Sequence, residues 1–248
     1  SMKQYRPHSI TSAIGEIAST GKLRIAVNHG NVVLATKTPT GHTEGVMVDM
    51  AQQAAQRAGI PLELVVLPSP PDALLALREG AADAAFLAME PARAAEVDFS
   101  TAYVVIEAAY LVPGSSVLQA VEDVDRPGVK IAVILNSGYD LFLSRTLRHA
   151  TLVRFQGVNT ADACLGNGLD VAAGLRQQLL ADADRISGVR LLPGRFMLVE
   201  HAMAVPKGND ASRRWFSDFI EDMKKSRFIQ RSLERHGSRG AWPADPVS

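Results

Sequence analysis

Val129-Lys130-Ile131-Ala132-Val133-Ile134-Leu135-Asn136-Ser137-Gly138 reads as a short β-branched strand running into a tight polar turn. Tyr139 to His149 follows with helical composition, and Thr151-Leu152-Val153-Arg154-Phe155 reads as the next strand. The stretch decides the fold because it restarts an order already run through once. Leu23 to Val27 is a first strand, and Met47 to Ala58 is a helix stopped by Gly59 and Pro61. Leu62 to Leu67 is a second strand, and Ala73 to Arg78, with Asp72 as its cap, is a helix stopped by Gly80. Ala82 to Met89 is an apolar run suited to a buried strand. The order βαβαβ implies a mostly parallel sheet covered by helices. An extended apolar segment, Val104 to Val112, then ends at Pro113-Gly114, so the simplest account is two α/β units joined near residues 112–114.

The second unit continues with a helix near Thr160 to Leu165 and a short buried strand, Leu169 to Ala173. His201 to Val205 reads as a returning strand. A last amphipathic helix, Ser212 to Lys225, carries Trp215, Phe216, Phe219 and Met223 at helical spacing, which reads as core packing. The tail from Ser238, with Gly240, Pro243 and Pro246, reads as loosely held.

Composition narrows the classes of function. The 26 basic and 26 acidic residues cancel, and aromatics are 6%, so neither the charge nor the stacking surface of a nucleic-acid binder is present. Hydrophobic residues at 47% and charged residues at 21% are those of an ordinary globular chain. No apolar run is long enough to span a membrane. The start, Ser1 to His8, shows no apolar core of a leader, so an exported protein would need a leader removed before Ser1; with Met2 as the native start the chain is cytoplasmic. Cys164 stands alone, excluding an internal disulfide, and reads as a small buried residue on a helix.

Nothing in the motifs points to a catalyst. The histidines at 8, 29, 42, 149, 201 and 236 form no HxxxH or HExxH, and no P-loop, GxGxxG or GxSxG occurs, so no metal or cofactor is expected. Two strand-to-helix turns carry more. After the strand ending at Met89, Glu90-Pro91-Ala92-Arg93 places proline at the first position of a helix and Arg93 beside a strand's carboxyl end. Asn136-Ser137-Gly138 offers backbone N–H groups and a hydroxyl at a helix start, either for an anion or as an ordinary cap. Ligands of open α/β sheets gather at such ends.

Gly45-Val46-Met47-Val48-Asp49-Met50-Ala51 resembles the G-x-x-V-D-L-A opening of family 3 extracellular solute-binding proteins, the polar amino acid type that serves ABC transporters. Ala76 to Ala84, Pro91 to Ser100 with Tyr103, and Met203 to Asn209 are similar to further ordered motifs of that family, over roughly residues 20–236. The resemblance implies an α/β fold of two Rossmann-like lobes joined by a two-strand hinge, the type II periplasmic-binding fold. It divides the chain into lobe 1, residues 20–112 and 202–236, lobe 2, residues 113–201, and a tail, residues 237–248. Lobes of this kind close on a ligand by hinge motion.

By the same resemblance Arg93 grips a ligand carboxylate, and Asn136, Ser137 and Gly138 face it from the second lobe. Asn28, His29 and Asn31 follow the first strand and meet the ligand's side group, with Tyr103 nearby. The departures bear on the ligand. Ala88 stands where amino acid binders carry Thr or Ser, and Glu90 replaces the usual Thr. Where an acid should receive the ligand's ammonium, shortly after Asp170, the chain has Arg176. Arg93 and Arg176 on opposite walls imply a solute with more than one acidic group or without an amine; Glu90 or Glu107 neutralising an amine keeps amino acids in play. The expected function is solute capture for an ABC importer in the periplasm, as a monomer with permease subunits as partners. A cyclohexadienyl dehydratase-like enzyme using Glu90 or Glu107, and a sensing module, are the alternatives on the same fold.

Overall fold

The computed structural model describes Gly15 and residues 17–247; the start read for a leader, Ser1 to His8, lies outside them. The first unit contains β1 (Leu23–Asn28), β2 (Thr36–Lys37), β3 (Thr43–Glu44), α1 (Val46–Ala58), β4 (Leu62–Leu67), α2 (Pro70–Arg78), β5 (Ala84–Ala88) and the short α3 (Pro91–Ala94). A long strand, β6 (Val97–Pro113), leads to β7 (Lys130–Ile134), α4 (Gly138–Thr146), β8 (Thr151–Phe155), α5 (Thr160–Gly166), β9 (Val171–Leu175), α6 (Arg176–Arg185) and β10 (Val189–Leu191). The chain returns through β11 (Met197–Pro206) to α7 (Asp210–Lys225), α8 (Phe228–Arg235) and β12 (Ala241–Pro243).

The strands follow the order β4-β1-β5-β11-β6-β9-β7-β8. β1 pairs in parallel with β4 and β5, and β7 in parallel with β8 and β9, so each half repeats one three-stranded parallel unit. Between them β11 and β6 run antiparallel to each other and to their outer neighbours. Two α/β lobes are thus joined by two crossing strands. β6 serves both halves: it pairs with β11 from Val97 to Ala108 and with β9 from Ala108 to Leu111, so eight strands share one hydrogen-bonded path, while β10 and β12 add to β6 and β2 pairs with β3 apart.

Alternation along the strands divides the core by face. Ile25 and Val27 enter a cluster with Met47, Phe216, Phe219 and Leu233, while Ala26 points to the other face with Leu77 and Leu87. In the second half Ile131 and Val133 pack with Tyr139 and Leu143, and Ala132 with Cys164 and Leu179. Helices therefore cover both faces of each parallel unit, as right-handed crossovers require. Cys164 is fully buried, and burial raises its thiol to about 11, consistent with an inert packing role.

Several local expectations change. Ser69, not Asp72, caps α2: its hydroxyl accepts from the Asp72 N–H and donates to the Asp72 carboxylate, so the helix begins at the prolines. The tail is pinned rather than loose. β12 pairs with Val104 to Ile106 of β6, the Ala244 N–H donates to the Tyr103 carbonyl, and Lys224 Nζ donates to the Asp245 carbonyl. Its prolines do not oppose this, because a three-residue edge pairing asks for few N–H donors.

Candidate ligand-binding site

Where the carboxyl end of β5 meets the start of α4, the two lobes leave a narrow crevice. Asn28, Asn31, Ala88, Arg93, Ser137 and Gly138 line it, as do Gly30, Met47, Pro70, Phe86, Tyr139, Leu175, Val199 and His201. Arg93 is its only charged lining residue apart from titratable His201.

Arg93 is only 4% exposed. Glu90 is the residue before α3, Pro91 takes its first position, and the third position carries the arginine inward from the end of β5. Nη1 donates to the Ala88 carbonyl at 3.0 Å, and Nη2 donates to the Asn136 carbonyl at 2.9 Å, so one guanidinium touches both lobes. Burial lowers its pKa to about 10, against a smaller raising effect from Glu90, and it stays charged at neutral pH. Asn136 holds a left-handed backbone at φ 60°, a conformation asparagine tolerates better than most residues, as it presents that carbonyl.

Gly138 sits at a close approach. A Cβ there would stand 3.2 Å from the Ala88 Cβ and 3.5 Å from Val199 Cγ1. Ser137 lines the crevice, but its hydroxyl is already used: it donates to the Ile134 carbonyl at 2.7 Å and accepts from the Asp140 N–H at 3.1 Å. The Asn136 N–H donates to the buried Asp140 carboxylate. The turn is therefore a helix cap satisfied largely from within, which leaves the N–H groups of Gly138 and Tyr139 as its first-turn donors.

Four candidates stand elsewhere. Tyr103 is wholly buried in the first lobe's core, packed edge-on to Phe86; it is the residue skipped where β6 shifts register against β11, and it joins the same cluster as Val104. His29 hydrogen-bonds Thr43 Oγ1 at 2.9 Å and lines a neighbouring groove with Asn136. Glu90 is buried against Arg145, and burial raises its pKa despite the arginine's opposing pull. Arg176 donates to Glu107 and to the Gly194 carbonyl, and Glu107 also receives Arg195 at 3.0 Å. The proposed second anion-binding wall is therefore neutralised by the protein itself, and both acids considered for an amine are engaged by arginines.

His201 is the residue the sequence reading missed. It lies on β11 directly across from Ala88 on β5. Its Nε2 stands 3.3 Å from Asn31 Nδ2, and its Nδ1 is buried without a hydrogen-bond partner among the described residues. Burial, and then the charge of Arg93, lower its pKa to about 3, so the imidazole is neutral.

Compared with known proteins, residues 23–239 match the family described as bacterial extracellular solute-binding proteins, family 3. The chain belongs to that family. The family 3 fold recurs in solved structures. A mutant of ArgBP from T. maritima aligns with TM-score 0.75 and 22% identity over 92% of this chain and 100% of that one. The solute receptor for L-cysteine of Neisseria gonorrhoeae aligns with TM-score 0.76 and 23% identity over 90% and 92%. An ancestral amino acid-binding protein, described as a precursor of cyclohexadienyl dehydratase, aligns with TM-score 0.74 and 23% identity over 90% and 98%. A search of curated protein sequences finds no match. Among the described residues, no helix of this family 3 chain is long and apolar enough to cross a membrane, and no group of three or more His, Cys, Asp or Glu side chains could hold a metal.

Proposed function

We propose that this chain is the solute-capture component of an ABC importer, working in the periplasm with permease subunits and closing residues 113–201 onto residues 20–112 and 202–236 around a small carboxylate-bearing solute. One observation carries the reading: a buried guanidinium touches both lobes and is hydrogen-bonded only to carbonyls, so its charge is free for a ligand's. A planar fork of donors suits a carboxylate. Ala88, Ser137 and Gly138 form the walls beside it, and Asn28 and Asn31 meet the rest of the ligand. Contacts to both lobes favour the closed form over the open one, which is the population shift a permease can read. An organic acid is favoured over an amino acid because no carboxylate lines the crevice. The same lining favours binding over a dehydratase, whose chemistry would need a carboxyl beside the ligand.

Thermal unfolding across mono- and dicarboxylates, amino acids and aromatic acids tests the reading, since a ligand of the folded state raises the melting temperature by mass action. At least one carboxylate is expected to raise it, and prephenate is expected to yield no ultraviolet-absorbing product. Turnover of prephenate would replace binding by catalysis.

A further inference from the structure

The crevice contains a buried polar group that the carboxylate reading leaves unused, and its protonation can be worked out from its neighbours. The Val33 N–H donates to Asn31 Oδ1 at 3.2 Å, which fixes the orientation of the Asn31 amide and leaves its NH₂ facing His201. An amide NH₂ only donates, so His201 Nε2, 3.3 Å away, must accept. A neutral imidazole that accepts at Nε2 carries its proton on Nδ1. That N–H is the buried atom without a partner. A buried donor in this condition is costly, and an acceptor supplied by a ligand would remove the cost.

Its position tells which ligands have that acceptor. His201 stands opposite Ala88, whose carbonyl holds Arg93 Nη1, and cross-strand partners share one face of the sheet. Residue 88 itself brings only a methyl to this face. The lining therefore includes a cation and a neutral imidazole whose Nδ1–H is buried and unpaired, and it holds no aspartate or glutamate. Glu90 is engaged by Arg145, and Glu107 by Arg176 and Arg195. An ammonium group would lie near Arg93 with no counter-charge and would face a donor rather than an acceptor.

We propose that the His201 Nδ1–H is a specificity-determining donor that selects carboxylates carrying an oxygen on the adjacent carbon, 2-oxo and 2-hydroxy acids, over the matching amino acids. The proposal rests on the reading of the crevice as a carboxylate site, and its test separates the two.

Calorimetric titration of the full chain would use pyruvate, L-lactate, 2-oxoisovalerate and 2-oxoglutarate against alanine, valine and glutamate. At least one oxo or hydroxy acid is expected to bind 10-fold or more tightly than its amino acid partner. His201→Phe, which keeps bulk and removes the donor, is expected to weaken that acid at least 10-fold, while His201→Asn, which keeps an N–H near the Nδ1 position, stays within about threefold. Because replacing a buried histidine can damage the fold, the unmodified protein supplies a second readout. Long-range ¹H–¹⁵N spectra should show His201 neutral at pH 7 with its proton on Nδ1. Amino acids binding as tightly as their oxo partners, an unchanged affinity in His201→Phe, or a proton on Nε2 overturns the proposal. If Arg93→Ala still abolishes binding in those cases, the carboxylate site survives alone. No binding of either series by the unmodified protein overturns both.

Discussion

Arg93 and Arg176 occupy comparable places, each just beyond the carboxyl end of a buried strand, β5 for one and β9 for the other. Their surroundings differ in partner and in burial. Arg176 meets a carboxylate, Glu107, which Arg195 also binds, and its side chain remains 23% exposed. Arg93 is buried and meets two backbone carbonyls instead. A carbonyl satisfies the donor without cancelling the charge, so the field at Arg93 remains available to a guest, whereas that at Arg176 is spent within the fold. The difference is that Arg176 is ion-paired within the fold, whereas the acid nearest in effect to Arg93, Glu90, is itself paired with Arg145.

The comparison can be broken most directly at Arg93. Arg93→Ala should remove the ligand-induced rise in melting temperature and weaken binding by 100-fold or more, about 3 kcal/mol, the scale of losing a buried charged partner; calorimetry of a carboxylate that binds the unmodified protein checks it. Retained affinity would move the site elsewhere.

The second test uses acid, because Arg93 has a titratable buried neighbour in His201. Its folded pKa of about 3 lies below the ordinary 6.5, so above pH 6.5 it is neutral in both states. As pH falls from 6.5 towards 3, the unfolded chain takes up a proton that the folded chain refuses, and stability is lost by up to about 1.4 kcal/mol per pH unit from this group. Denaturant unfolding at pH 7 and pH 5 should show a smaller acid loss in His201→Asn than in the unmodified protein. Equal losses would mean that His201 is not held neutral.

Gly138→Ala sharpens the comparison from the facing wall. The added methyl meets Ala88 and Val199, so it must hold apart the two segments that Arg93 bridges. Ligand affinity should fall about tenfold, on the order of 1.4 kcal/mol, because Ala88 and Val199 must give by a few tenths of an ångström where the two segments meet. The smallest effect is expected at Arg176. Arg176→Ala should change ligand affinity less than twofold and cost about 1 kcal/mol of stability, because Glu107 keeps Arg195. A large loss of affinity there would restore the second anion-binding wall.

How much of this was legible in the residues depended on the range of the signal. The rhythm of strands and helices was readable because side-chain alternation and Gly or Pro stops act within a few residues. Pro91 announced α3, and Trp215, Phe216, Phe219 and Met223 announced the buried face of α7. By contrast α6 starts from Leu175 with no side-chain cap, and α8 from Arg227 in a left-handed backbone at φ 61°, so neither carried a start signal. The pinning of the tail depends on β6 offering a free edge, which no local pattern in residues 237–247 reveals.

The site divided in the same way. Arg93 and Gly138 were readable because each belongs to a turn between a buried strand and a helix, a place the chain specifies locally. His201 was invisible: it lies inside an apolar strand, and its partner Asn31 is 170 residues away in sequence. The chain's own order of residues therefore determined the two α/β units and the turn that carries Arg93, because these follow from short-range periodicity and steric stops, while the crossing strands were implied only by the resemblance to family 3. Only the packed molecule decided which charges remain uncancelled and which buried donor lacks an acceptor, because neutralisation and hydrogen bonding depend on distances between segments that the sequence keeps far apart.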